Sequence, residues 1–314
     1  MRILTVLPGP ELHGVVQHGR VVARLVRAVG AQVMVRRSLT TSRTSADLTH
    51  VHFTDALFGT NVQAAATAYE RWAGGVRGPL MVTLHAVPAA ADDEREARRR
   101  AAYSRVVRAS DAVVVSSPHE AAALTDCLPY VIPLPLGPLG PAGAVPEWAD
   151  RPTVGVLGFL YPGKGHAAVL EAVQPGQRVV AAGAPSPGHA DLAEELQRRA
   201  QERGVDLVVT GPLAADDLHA AALAVTVPVA AYSTSGASAT LSTWLAAGRR
   251  PLTFETPYAQ GVLARWPDCL DLARHLRADI AGVLAAPSRS WLPAPLSAPD
   301  VGGLHLAAYQ SCLR

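Results

Sequence analysis

The chain has 314 residues, of which 49% are hydrophobic and 17% charged, with a formal net charge of +2. That length is long for one core and comfortable for two domains of ordinary size. The near-neutral balance and an aromatic content of only 5% exclude an electrostatic nucleic-acid binder and a base-stacking platform.

The first half alternates strand-like and helix-like segments. Residues 2–7 read as a strand ended by Pro8-Gly9-Pro10, too short for the apolar core of a signal peptide. Apolar residues at helical spacing from Val15 to Val29 predict a helix closed by Gly30. Strands follow at 31–35 and 49–53, then a helix at 58–73 closed by Gly74-Gly75, and a buried strand at 79–84 running into His85. A charged helix at 92–109, capped by Asp92 or Asp93, contains the basic run Arg95 to Arg100, which reads as a solvated face. A strand at 112–115, a short helix at 118–126 and a strand at 130–132 complete this half. Repeats of this kind imply a parallel sheet with helices on both faces.

Residues 133–152 break the pattern with Pro133, Pro135, Pro138, Pro141, Pro146 and Pro152, interleaved with Gly137, Gly140 and Gly143. Such a stretch is neither helix nor central strand and reads as a linker. The alternation restarts with strands at 153–157, 178–182, 206–209, 225–229 and 250–254. Helices are predicted at 165–173, 188–203, 215–222, 237–247 and 269–285. A proline-rich tail at 286–300 precedes a last helix at 303–313. The expected architecture is α/β, two doubly wound Rossmann-like domains with ligand sites at the carboxyl ends of the strands. No apolar run spans a bilayer. Cys127, Cys269 and Cys312 lack metal-type spacing and read as free thiols, so the expected location is the cytoplasm.

Candidate chemistry falls where strands end and helices begin. Gly158-Phe159-Leu160-Tyr161-Pro162-Gly163-Lys164-Gly165 follows a buried strand and opens a helix. Lysine is nearly absent from the chain, which makes Lys164 conspicuous. A lysine beside exposed backbone N–H groups suits an anion, most naturally phosphate. The spacing is neither that of the P-loop nor G-x-G-x-x-G, and His166 stands where a magnesium-holding hydroxyl would be needed. A second cradle of small hydroxyl residues runs from Tyr232 through Ser235, Gly236, Ala237 and Ser238 to Thr240. In the first half, the stations are the loop with His13 and Gly14, the segment with His52 and Asp55, and Thr83-Leu84-His85. Asp55 serves equally well as a helix cap, and a lone histidine is more often structural.

Together and in this order, these stations resemble the retaining GT-B glycosyltransferases often called family 4. The resemblance rests on Gly14 after the first strand, Thr83-Leu84-His85 and Ala109 to Ser117. It rests also on Gly158 to Gly165, and on Ala246-Ala247-Gly248-Arg249-Arg250-Pro251, which carries one extra residue. It implies an acceptor-binding domain at 1–140, a nucleotide-sugar-binding domain at 141–300 and a C-terminal helix at 301–314 that packs back on the first. It implies transfer of a hexose, GDP-mannose being favoured as donor over UDP-glucose, to a saccharide or glycoside acceptor, as in a diverged actinobacterial mannosyltransferase. Lys164 would neutralise the leaving diphosphate and His85 would touch the transferred sugar. Gly14, Gly158, Tyr161, Gly163, Gly165, Gly211, Leu213, Ser235, Gly236, Ala237, Ser238 and Thr240 would face the donor. His13, His52 and Asp55 would face the acceptor. No cofactor and no metal is implied, since cationic side chains and helix ends can stabilise the leaving group. The chain departs from the family at Ser235 and Thr243, where two glutamates are usual, and at Phe159, where a basic residue is usual. These departures keep open a catalytically silent binding protein and a sugar-nucleotide epimerase of similar fold.

Overall fold

The structure is a computed structural model and describes residues 1–40, 45–88, 93–136, 139–232 and 236–314. It contains two compact units. The first comprises residues 1–135 and 299–314, with Gly236 and Ala237 grouped among them; the second comprises residues 136–232 and 238–298. No helix among the described residues is long and apolar enough to cross a membrane.

In the first unit the strands are β1 (Arg2–Val6), β2 (Gln32–Arg36), β3 (Leu48–Phe53), β4 (Leu80–Leu84), β5 (Ala112–Val115) and β6 (Tyr130–Val131). The helices are α1 (Gly14–Ala28), α2 (Asp55–Phe58), α3 (Val62–Ala73), α4 (Glu94–Arg108) and α5 (Pro118–Ala122). All six strands are parallel, in the order β2-β1-β3-β4-β5-β6. Strand β3 is buried on both faces, as a central parallel strand must be. Val51 and Phe53 point into a core with Tyr69, Trp72, Tyr103 and Val106 of α3 and α4. Leu48 lies in the core on the opposite face, among Val22 and Val26 of α1 and Ala308 and Tyr309 of the C-terminal helix.

In the second unit the strands are β7 (Thr153–Leu157), β8 (Arg178–Ala182), β9 (Asp206–Val209), β10 (Val227–Ala230), β11 (Leu252–Thr253) and β12 (Asp271–Leu272). The helices are α6 (His166–Ala172), α7 (Leu192–Glu202), α8 (Ala215–Ala224), α9 (Ala239–Ala246), α10 (Pro257–Arg265) and α11 (Leu276–Ala285). Helix α12 (Val301–Cys312) lies against α1 in the first unit. The second sheet is again wholly parallel, in the order β12-β11-β10-β7-β8-β9.

These orders locate the crevices. Chain winding reverses between β1 and β3 in the first sheet and between β7 and β10 in the second. The two loops leaving such neighbouring strands diverge to opposite faces and leave an opening at the carboxyl ends.

The elements differ from the sequence expectations in three places. The helix expected over 58–73 begins only at Val62, because Asn61 caps α3 by accepting from Ala64 N at 2.9 Å, and a separate short helix, α2, ends at Phe58. The extended Gly59 separates α2 from α3 and lies so close to Ala65 that a Cβ would stand 2.5 Å from its nitrogen. The helix expected over 269–285 begins only at Leu276, since residues 271–272 pair with β11. Helix α10 was not expected; Thr256 caps it by accepting from Ala259 N at 3.1 Å, and Pro257 occupies its first turn.

Arg249, the first of the two arginines between Gly248 and Pro251, is 1% exposed. Its guanidinium donates to the carbonyls of Ala222 (2.8 Å), Leu223 (2.9 Å), Thr226 (3.2 Å) and Ser290 (3.2 Å) and to Ser290 Oγ (2.9 Å). It also stacks 4.0 Å from the Trp291 ring centroid. The side chain thereby ties the segment after α11 to the end of α8. Replacing it strands buried carbonyls and opens a void, so Arg249→Leu is expected to lower unfolding free energy by about 3–5 kcal/mol. Urea denaturation compared with wild type checks this, and Arg249→Lys, which lacks the planar fork, should recover little of the loss.

Candidate functional site

In the second unit, the loop from Gly158 to Gly165 leaves β7 at the reversal point. Gly158, Gly163 and Gly165 all have positive φ, at 94°, 86° and 100°. Gly165 has a second constraint, because a Cβ there would stand 2.4 Å from the Ala231 carbonyl oxygen at the end of β10. Leu160 is fully buried, and its backbone pairs with Ala184 and Ser186 (2.9 Å each), anchoring the loop's middle. The anchored loop turns the Lys164 side chain inward, where it is 7% exposed.

Lys164 is the only lysine in the sequence. Its ammonium donates to Thr240 Oγ1 on α9, and that hydroxyl in turn donates to the Leu157 carbonyl at 3.2 Å. The Tyr161 ring centroid lies 5.6 Å from Nζ. Among the described residues no carboxylate lies within ion-pair distance of the ammonium. Burial alone pushes its pKa down to about 8. The absence of a Cβ at Gly158 keeps the space over Nζ open, since such an atom would sit 3.6 Å from it. The loop and α9 therefore converge from the two strands flanking the reversal point onto one buried cation. Helix α6 has only seven residues, so the lysine charge, rather than that helix end, supplies most of the local field.

The remaining donor-side expectations divide. Ser238 caps α9, its Oγ accepting from Leu241 N at 3.3 Å, and Thr240 is brought against Lys164. Gly211 and Leu213 follow β9, which is separated from β7 by β8, and Gly211 has a positive φ of 74°. Gly236 and Ala237 group with the first unit. Ser235 lies outside the described residues. Thr243 donates back to the Ala239 carbonyl at 2.9 Å within its own helix.

In the first unit, His13, Gly14, His52, Asp55 and His85 all lie around the β1/β3 reversal or the neighbouring end of β4. His13 caps α1, its Nδ1 accepting from Val15 N at 3.2 Å. Gly14 has open space where a Cβ would be. His52 is fully buried, and its Nδ1 shares a hydrogen bond of 3.2 Å with His85 Nε2. The His85 backbone is fixed by its N–H to the Phe53 carbonyl (2.9 Å) and by Tyr103 Oη donating to its own carbonyl (3.0 Å). The next residue, Ala86, has φ 54°, a non-glycine residue held in a left-handed turn. Asp55 opens α2 and faces Arg99 at 3.7 Å, so part of its role is structural. Arg98 pairs with Glu94 (2.5 Å) on the exposed face of α4, whereas Arg99, only 21% exposed, pairs with Glu96 (2.9 Å) and donates to the Ala86 carbonyl (3.2 Å), so only part of the basic run is a solvated face.

Sequence reasoning missed His18 on α1, whose ring packs edge-on to His52 and His85 at centroid distances of 5.5 and 5.2 Å. It also missed His50, bonded to Tyr309 Oη and Thr83 Oγ1 at 2.8 Å each. Alternation of His50 and His52 along one strand places both on one face, and this was the available signal. Burial holds His18 down to about 4 and His50, His52 and His85 well below the ordinary imidazole range, so these rings are neutral at pH 7.

No family model matches the chain, and no curated protein sequence matches it. Solved structures do. Anabaena HepE in complex with UDP and glucose is 13% identical and superposes with a TM-score of 0.66 over 99% of both chains. Sucrose-phosphate synthase from Thermosynechococcus elongatus is 15% identical, with a TM-score of 0.67 over 100% of this chain and 95% of that one. The lipopolysaccharide outer core galactosyltransferase WaaB in its apo form is 12% identical, with a TM-score of 0.55 over 99% of both. At such identities the likeness establishes the fold, which is the α/β GT-B fold of glycosyltransferases.

The buried ammonium has a stability signature. Its pKa falls from 10.5 to about 8 on folding, so between those values the unfolded chain holds more protons and stability rises with pH. Below pH 8 the penalty is present in full, about 3 kcal/mol. Lys164→Met is expected to raise unfolding free energy at pH 7 by about 1–3 kcal/mol, with the gain shrinking through pH 8–10.5. Denaturant titrations at pH 7 and pH 10 check both the sign and the window.

Proposed function

We propose that the protein is a glycosyltransferase that takes a hexose from a nucleoside-diphosphate sugar and passes it, with retained anomeric configuration, to a saccharide or glycoside acceptor. The observation that carries this reading is Lys164, a buried ammonium with a hydroxyl partner but no carboxylate, held at the reversal point of the second sheet. A desolvated cation of this kind is stabilised by an incoming dianion. Because Lys164 is already positioned, little reorganisation is needed as charge develops on a departing diphosphate. As the bond between the sugar C1 and the phosphate oxygen breaks, its electron pair goes to that oxygen and the Lys164 charge offsets it; the acceptor hydroxyl oxygen forms the new bond to C1, and its proton passes to the departing diphosphate. In the first unit, neutral His85 with His13, Gly14 and Asp55 supplies saccharide-facing groups at the ends of β1, β3 and β4.

GDP-mannose and UDP-glucose are the donors to compare. HepE of the same fold has been solved with UDP-glucose, which moves UDP-glucose ahead of GDP-mannose in this reading. A second reading, a protein that binds a nucleotide sugar without turning it over, is favoured by one feature. At the positions of the usual glutamates the chain has Ser235 and Thr243, and Thr243 spends its hydroxyl on its own helix.

The test combines binding and chemistry. UDP, GDP and ADP are compared by thermal shift, since a ligand of the native state raises the apparent midpoint. One nucleotide is expected to stabilise the protein, and Lys164→Ala to weaken its binding and reduce transfer roughly 100-fold or more. Because Lys164 is the sole lysine, its acylation by an amine-directed reagent can be read by mass spectrometry, and the bound nucleotide should suppress it. Unchanged transfer in Lys164→Ala would remove the leaving-group assignment. Binding without turnover across donors and acceptors would select the second reading.

A further inference from the structure

We propose that His18, His52 and His85 bind a divalent transition metal of the zinc class in the first unit. The three side chains come from three elements: α1, the end of β3 and the residue after β4. Each offers one ring nitrogen, and these nitrogens lie within 4.8 Å of one another. One separation, His52 Nδ1 to His85 Nε2 at 3.2 Å, matches the roughly 3.3 Å between two nitrogens that are each about 2.05 Å from a tetrahedral zinc ion.

The surroundings distinguish this cluster from ordinary buried histidines. His50, two residues before His52 on the same strand face, uses both nitrogens in hydrogen bonds, to Tyr309 and Thr83. His52 is equally buried, yet its only hydrogen bond is the one shared with His85, and its Nε2 has no partner. Among the described residues neither nitrogen of His18 is hydrogen-bonded; its contacts are the ring packings onto His52 and His85. The close approach of α1 that brings His18 there depends on Gly19. A Cβ at that position would meet Leu7 at 2.2 Å and the His52 ring at 3.1 Å.

Access and chemistry agree. His52 forms the floor, whereas His18 and His85 are partly exposed, so an ion can reach the cluster from solvent. Three imidazoles form a nitrogen-only set of borderline softness, which suits Zn²⁺ or Co²⁺ far better than Mg²⁺ or Ca²⁺. With three protein ligands, a fourth position is left for water or another oxygen donor. Lys164 has no part in this cluster, whereas His85 is shared with the saccharide-facing groups of the proposed function.

The test uses the full-length protein stripped with a chelator and titrated with Co²⁺, followed by visible absorption and thermal shift. The expected result is one equivalent bound with the intense bands of low-coordinate nitrogen ligation, a raised unfolding midpoint and displacement by Zn²⁺. His18→Gln and His85→Gln, both at partly exposed positions, should each weaken binding roughly 10-fold or more, while His219→Gln on α8 should leave it unchanged. Absence of saturable low-coordinate bands in the wild-type protein overturns the proposal, as does binding that persists unaltered in a folded His18→Gln or His85→Gln variant.

Discussion

An ammonium group taken out of water without a carboxylate is the constraint around which the opening of the second sheet is organised. Folding normally avoids this arrangement, because the desolvation of a charge is repaid only by an opposing charge or a full set of hydrogen bonds. Lys164 has the Thr240 hydroxyl and the face of Tyr161. The elements around it hold it there. Leu160 anchors the loop, and Gly165 permits a left-handed turn hard against Ala231. Thr240 donates to Leu157, so its lone pairs are left for the ammonium. A side chain free to move would swing its charge into solvent; these contacts prevent it. Charge held ready in a low-dielectric setting attracts an anion more strongly than the same charge in water.

Much of this was legible in the sequence. The glycines flanking Lys164, following an apolar strand, announced a strand–helix turn, and the alternation of elements announced two parallel sheets. What could not be read was the strand order, and the strand order decides which loops meet. Residues 211 and 213 look, in sequence, as much like a loop after a strand as residues 158–165 do. They follow an edge strand, with β8 standing between β9 and β7. Thr240 is brought to Lys164 because β10 pairs directly with β7.

Where the elements themselves differ from the sequence expectation, the causes are local. The helix expected from residue 58 starts only after Gly59 and the Asn61 cap, because a capping side chain satisfies the N–H groups that a continuous helix would satisfy internally. Helix α10 was overlooked although Thr256-Pro257 is a recognisable start. Arg249 drew no role of its own from the sequence. It is a tie whose guanidinium caps carbonyls at the end of α8 and beyond α11.

The histidines of the first unit show the limit of reading residues singly. Taken alone, His52 and His85 are ambiguous between a packed core and a site, and His18 is one polar residue on an amphipathic helix. The parallel register sets His52 opposite Thr83, and that pairing carries His85 to the end of the same strand. Gly19 then lets α1 settle low enough for His18 to join them. The same strand face supplies an internal comparison. His50 sits deeper, where Tyr309 of α12 and Thr83 complete its hydrogen bonding, and it behaves as a satisfied core residue. His52, two residues nearer the carboxyl end, has only His85 as a side-chain hydrogen-bond partner, and its Nε2 has none. Progress along β3 from the protein interior to the crevice thus converts one residue type from packing to chemistry, because the partners available at each step differ.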